Sequence, residues 1–227
     1  MAKASYASLV PQVKVFVALI AGVWLADYSH LDFWLEQQFF NHQTQVFAWR
    51  HHWLLDTLLH HSLKNLMYLL GFFSILLAIY AVRKKWISIH QAIWGAGGIL
   101  FLPLLITGLK RITAKQCPWS IDGLGGASPY VHLLDNSLES LGSQCFPAGH
   151  AAGGYMWLAW AAALAVSHPL LARVILWFGL LMGSLMGLAR MMQGAHFLSH
   201  VIASAAICWA YMLTVQTIFN RRVGYLE

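Results

Sequence analysis

The chain has 227 residues, of which 59% are hydrophobic and only 10% charged, and its mean hydropathy is +0.61. Soluble domains carry roughly a quarter charged residues, so this composition excludes an ordinary soluble domain and places the chain in lipid, as a single domain over residues 1–227. The net charge of +6 is scattered at the ends of apolar runs, with no basic stripe, which argues against a nucleic-acid partner.

A short, weakly basic N-terminus leads into a first apolar run, 15–26. No clean small-x-small cleavage site follows it, so it reads as a retained spanning helix and not as a signal peptide. Residues 30–64 are amphipathic, with Trp34, Phe39, Phe40, Trp49 and Trp53 interleaved with His51, His52, His60 and His61. Such a segment lies along the membrane interface, where tryptophan settles at headgroup level. Further spans are expected over 65–82, 87–109, 150–166, 170–189 and 197–219. Between the third and fourth, residues 111–146 are polar and glycine-rich. Unstructured stretches of that length are usually functional.

The predicted fold is therefore all-α: a polytopic bundle of six transmembrane helices with an interfacial segment between the first two. Six spans put both termini on one side. Lys3, Lys14, Arg83, Lys84, Lys85, Arg173, Arg221 and Arg222 then share the cytoplasmic face. The opposite face holds Arg50, Lys64, Lys110, Arg111, Lys115 and Arg190. Cys117 and Cys145 lie in the same inter-helix region, each next to or near a proline. A disulfide is expected there if that face is oxidising; two small buried thiols are the other reading. Cys208, inside an apolar run, reads as a packing residue.

Three polar knots gather on the outward face. One runs Lys110-Arg111-Ile-Thr-Ala-Lys115-Gln-Cys117-Pro118-Trp119, a second Cys145-Phe-Pro147-Ala148-Gly149-His150, and a third Ala189-Arg190-Met-Met-Gln-Gly194-Ala-His196-Phe-Leu-Ser-His200. Charge beside a bilayer is expensive and tends to mark function. Lys110 and Arg190 end helices that reach one surface, and a guanidinium suits phosphate oxygens. The helices opening near His150 and His196 offer N-terminal amides to an anion. Two histidines can divide the work of nucleophile and acid.

The ordered triple resembles the type 2 phosphatidic acid phosphatase (PAP2) superfamily, whose signature is Lys-x6-Arg-Pro, Pro-Ser-Gly-His and Ser-Arg-x5-His-x3-Asp. Here it stands as Lys110-x6-Cys117-Pro118, Pro147-Ala148-Gly149-His150 and Ala189-Arg190-x5-His196-x3-His200. The resemblance implies a six-helix bundle and a phosphohistidine mechanism. In it His196 is the nucleophile, His150 is the acid for the leaving oxygen, and Lys110, Arg190 and the Gly149 amide grip the phosphate. Four positions depart from the pattern. Cys117 replaces an arginine, for which Arg111 or Lys115 is the expected substitute. Ala148 and Ala189 replace serines. His200 replaces the aspartate that orients the nucleophile, and is expected to accept the second ring proton of His196, with Asp122 or Asp135 as alternatives.

The implied activity is removal of phosphate from a lipid phosphate or pyrophosphate at the periplasmic face of a bacterial inner membrane. The same site would serve a lipid phosphotransferase, or an impaired relative that binds or transports lipid phosphates. Lipid phosphate and membrane lipids are the expected partners. No metal or other cofactor is expected, because neither His196 with His200 nor the paired histidines carry a cysteine or carboxylate tied in at ligand spacing. Histidines at helix ends also do not suit haem ligation.

Overall fold

The computed structural model describes residues 9–135 and 143–224, with side chains through Asn220. Lys3 and the Arg221–Arg222 side chains, used in the sequence reading, lie outside the described residues. The order is α1 (Val10–Tyr28), α2 (Leu31–Phe39), a two-stranded hairpin of β1 (Phe40–Asn41) and β2 (Val46–Phe47), and a π-helical stretch Leu54–Ser62 that continues into α3 (Leu63–Arg83). Then come α4 (Ile89–Thr113), a 3-10 turn at Pro118–Ser120, α5 (Gly149–Tyr155), α6 (Leu158–Leu164), α7 (Pro169–Met192) and α8 (Leu198–Gly224).

Among the described residues, five helical stretches are long and apolar enough to cross a membrane: Val10–Tyr28, Leu54–Arg83, Ile89–Ser120, Pro169–Met192 and Leu198–Asn220. Large apolar side chains such as Leu77, Leu104, Val174 and Leu181 point outward from them, as lipid-facing surfaces do. The remaining expected span, 150–166, takes a different form. It is two seven-residue helices, α5 and α6, interrupted at Met156–Trp157. Together they rise only about 24 Å at 1.5 Å per residue, short of the roughly 30 Å hydrocarbon core. The Gly153-Gly154 pair just before the break is a poor helix former.

Protein surrounds this broken helix. From Ala151 to Leu164 every residue but Trp157 is buried, against α4, α7 and α8. Its Ala- and Gly-rich sequence lets backbones approach closely, which in lipid replaces the hydrophobic drive for helix association. A Cβ built on Gly154 would stand 2.1 Å from Gly183 N, so α5 and α7 touch backbone to backbone. Several tryptophan and tyrosine donors within the bundle find partners across helices, although Trp157 Nε1 is buried without one among the described residues. Trp160 Nε1 donates to Ser74 Oγ (3.1 Å), Trp209 Nε1 to Gln12 O (2.9 Å) and Tyr211 OH to Trp94 O (2.7 Å).

At the start of α4, Ser88 and Gln91 form a reciprocal capping box, and Gln91 reaches on to Ala163 O and Ser167. Those bonds tie the start of α4 to the end of α6. At the opposite end of the bundle the hairpin covers the site. Phe40 and Phe47 pack with Ile121, Leu124 and Phe197 in a separate small cluster. Gly194, in the turn between α7 and α8, has φ 72°, and a Cβ there would stand 2.3 Å from the Phe47 ring. Only glycine meets both demands.

Overpacking at the α5–α7 crossing should be far worse than at an open glycine. Gly154→Ala is expected to cost about 1–3 kcal/mol or more. Gly97→Ala, which meets nothing within 4 Å, should gain a few tenths to about 1 kcal/mol from helix propensity. Thermal unfolding of both variants in detergent measures the contrast; equal shifts would contradict the crossing.

Candidate active site

The three knots do meet. Lys110 lies in the last turn of α4, which ends at Ala114 in a left-handed conformation. A Cβ on Gly149 would be 3.6 Å from Lys110 Nζ, so the ammonium sits over the start of α5. Thr113 Oγ1 donates to Phe146 O (2.6 Å), and Cys145 N donates to Lys115 O (3.1 Å). Cys117 and Cys145 are joined in a disulfide with a Cα–Cα separation of 5.2 Å, so the expected bridge between the first two knots is present. The third knot joins through Trp119 N, which donates to Gly194 O (2.9 Å).

His196 lies between α7 and α8 and is 3% exposed. Its ring centroid is 6.5 Å from that of His150 and 6.0 Å from that of His200. Burial, then Lys110, His200, Arg190 and His150, hold its pKa well below the ordinary histidine value. It is therefore an uncharged imidazole among cations. Both nitrogens of His150 are buried without a hydrogen-bond partner among the described residues. Arg190 Nη1 donates to Gln193 Oε1 (2.7 Å), and its guanidinium lies 5.8 Å from the Trp119 ring.

Several sequence expectations are corrected here. His200 does not accept from His196: Nδ1 of each ring is buried and unpartnered among the described residues. The His200 ring instead meets the Cys145 backbone and is flanked by Phe146 and Phe197, each at 5.3 Å. Lys115 is committed elsewhere, donating to His132 O (2.8 Å) and Asp135 O (2.7 Å). Arg111 is exposed and makes no hydrogen bond or ion pair among the described residues. Ala148 lends no free donor, because its amide goes to His200 O (3.1 Å). Its carbonyl accepts from Ser204 Oγ (3.0 Å), which also reaches His200 O (3.1 Å). Asp122 is exposed at the surface, and Asp135 lends its backbone carbonyl to Lys115; neither supplies a buried carboxylate to the histidines.

The buried acids come from the other end of the sequence. Asp27, Asp32 and Glu36 are 2%, 1% and 0% exposed. Asp27 accepts from Tyr130 OH (2.7 Å) and Leu133 N (2.9 Å), pinning the loop. Asp32 Oδ1 accepts from Ser199 N (2.8 Å) and so caps α8, the helix whose free amides had been assigned to phosphate. Asp32 also lines a water-sized cavity with Asp27, Lys115, Tyr130, Phe197 and His200. Burial holds the Glu36 carboxyl well above the usual range, with Asp32 adding to it. The sequence reading put Arg50 on the outward face but gave it no partner there. Its guanidinium stands 4.6 Å from the Trp119 ring that Arg190 also approaches, and its carbonyl accepts from Gln193 Nε2 (3.2 Å).

Burial pushes Asp32 up to about 6 from 3.8, against the hydrogen bonds of Ser199. Its protonated form is thus favoured by folding, and that contribution is full below the unfolded value and lost as pH rises through about 6. Asp32→Asn keeps an acceptor for Ser199 without the buried charge. It is expected to match the wild type at low pH and to exceed it by about 2–3 kcal/mol at pH 8. Melting temperatures across pH 4–8 give the answer; a pH-independent difference would count against the buried carboxylate.

No curated protein matches the chain. It is similar to a solved structure described as the first transmembrane PAP2 type phosphatidylglycerolphosphate phosphatase, from Bacillus subtilis. The identity is 20%, the match covers 93% of this chain and 96% of that one, and the TM-score is 0.44. The model of the PAP2 superfamily matches residues 91–223, a stretch that holds all three knots and more than half of the chain. The chain belongs to the PAP2 superfamily, as a multi-pass membrane phosphatase.

Proposed function

We propose that the protein removes phosphate from a membrane lipid phosphate or pyrophosphate at the periplasmic face, through a phosphohistidine on His196. The observation that carries this reading is that His196 is buried with its ring 6.5 Å from that of His150 and 6.0 Å from that of His200, where burial and the charges of Lys110 and Arg190 favour its uncharged form. An unprotonated imidazole nitrogen is a nucleophile, and fixed cations around it favour the charge that builds on phosphate oxygens. In the first step the His196 nitrogen bonds to phosphorus while the bond to the leaving oxygen breaks; His150, which takes up a proton when the anionic phosphate binds beside it, gives that proton to the leaving oxygen. In the second, His150 takes a proton from water, whose oxygen displaces His196 and releases orthophosphate.

Cys117, locked in the disulfide, holds no anion. Arg50 takes over as the second guanidinium, since it and Arg190 converge on Trp119. Asp32, across the water-sized cavity from His200, is the carboxylate that offsets positive charge developing on the histidines. The disulfide supports an oxidising compartment, and the clustering of Arg83, Lys84 and Lys85 at the other end of α3 supports the same orientation. The site lies where α4 and α7 end and α5 and α8 begin, so a lipid headgroup at the bilayer boundary is the natural carrier of the phosphate.

Detergent-purified protein should release orthophosphate from at least one of phosphatidic acid, phosphatidylglycerol phosphate, undecaprenyl pyrophosphate or lipid A phosphates. Adding an acceptor lipid separates transfer from hydrolysis. His196→Ala should lower turnover at least about 10³-fold, whereas Arg50→Ala should mainly raise KM. Release by His196→Ala at the wild-type rate would overturn the assignment. A reporter fused after Lys85 should read cytoplasm, and one within 122–135 should read periplasm; the opposite result for the loop would remove the periplasmic substrates.

A further inference from the structure

We infer that Asp56, His60 and His61 form a binding site for a divalent transition-metal ion of the zinc class, beside the phosphate pocket. One ligand atom from each lies within 4.8 Å of the other two. Asp56 Oδ1 stands 3.2 Å from His60 Nδ1 and 3.9 Å from His61 Nε2. In a tetrahedral zinc site with bonds of 2.0–2.2 Å, neighbouring ligand atoms are about 3.4 Å apart. The three atoms therefore bracket that spacing already, and small side-chain rotations would close it.

The winding of the backbone makes this possible. In an α-helix the fourth residue after Asp56 shares its face, but the fifth lies about 140° round and points away. Residues Leu54–Ser62 are π-helical, and Leu63 N donates to Leu58 O five residues back. With i→i+5 closure the fifth residue comes back over the first, so His61 joins His60 above the same carboxylate. Such turns recur at functional sites. The sequence reading set the paired histidines aside for want of a carboxylate at ligand spacing; Asp56 supplies it.

A second observation connects the cluster to the pocket. The His60 ring lies 4.4 Å from that of His150, whose two nitrogens are buried without partners among the described residues. Two histidines and one carboxylate leave the fourth position of a tetrahedral ion open. An ion here adds two positive charges within ring contact of His150 and strengthens the pocket for anions. This coupling, unlike the metal site itself, rests on the phosphate pocket proposed above.

Protein purified without a histidine tag and stripped with chelator is titrated with Co²⁺ and followed by its visible absorption. One equivalent should give the intense bands of tetrahedral cobalt, displaced by Zn²⁺. Asp56→Asn and His61→Ala, each confirmed folded by its melting temperature, should weaken binding at least about 10-fold. Binding absent from the wild type would overturn the site, and binding as tight in both folded variants as in the wild type would mean adventitious binding only and would overturn it too. Orthophosphate, titrated as a ligand of the wild type, should bind several-fold tighter with Zn²⁺ present. Unchanged phosphate affinity alongside variant-sensitive cobalt bands would overturn the coupling and leave the metal site standing.

Discussion

His196 is buried, and the charges acting on it are those of Lys110 and Arg190 with no carboxylate among them, an environment that disfavours an imidazolium. Desolvation and two fixed cations press in the same direction, so the ring stays uncharged and its lone pair stays available. The price is that cations must be held close together against their mutual repulsion. The fold meets this with an indole. Trp119 stands between Arg50 and Arg190, Gln193 links the Arg190 side chain to the Arg50 carbonyl, and Trp119 N binds Gly194 O. Asp32 caps α8 and Asp27 fastens the loop.

Close helix packing supplies the rigidity this arrangement needs. The knots lie at helix ends, where α4 and α7 finish and α5 and α8 start, so their relative positions follow from how these helices cross. Backbone contact between Gly154 and Gly183, and the small residues along α5 and α6, fix those crossings more tightly than large side chains would. Ser204 then locks the second knot to the third by bonding both Ala148 O and His200 O. The disulfide does the same for the first and second knots.

The apolar runs were legible because each is bounded by charge or by proline, and α3, α4, α7 and α8 fall within a few residues of the sequence expectation. Lys110, His150, Arg190 and His196 were legible because their spacing is set by helix ends along the chain. The broken span was not, since Met156–Trp157 is as apolar as its flanks and only the preceding glycines hint at an interruption. Arg50, Asp32 and Glu36 were hidden for a different reason. They belong to the amphipathic segment after α1, whose residues look like an ordinary interfacial face. Only tertiary contact carries Asp32 to Ser199, more than a hundred residues away, and Arg50 to Trp119. The π winding that turns His61 toward Asp56 likewise leaves no mark in the hydrophobic pattern. The loss of an aspartate at position 200 was visible, but the carboxylates behind His200 come from α1 and α2.

An experimental structure of the protein with orthovanadate tests the central claim most directly, because vanadate takes the geometry of a phosphoryl group in transfer. The account predicts vanadium bonded to a nitrogen of His196, with its oxygens held by Lys110 and Arg190 and with His150 on the side of the leaving oxygen. Vanadate bonded to His150 or His200 instead, or seated away from Lys110 and Arg190, would contradict it.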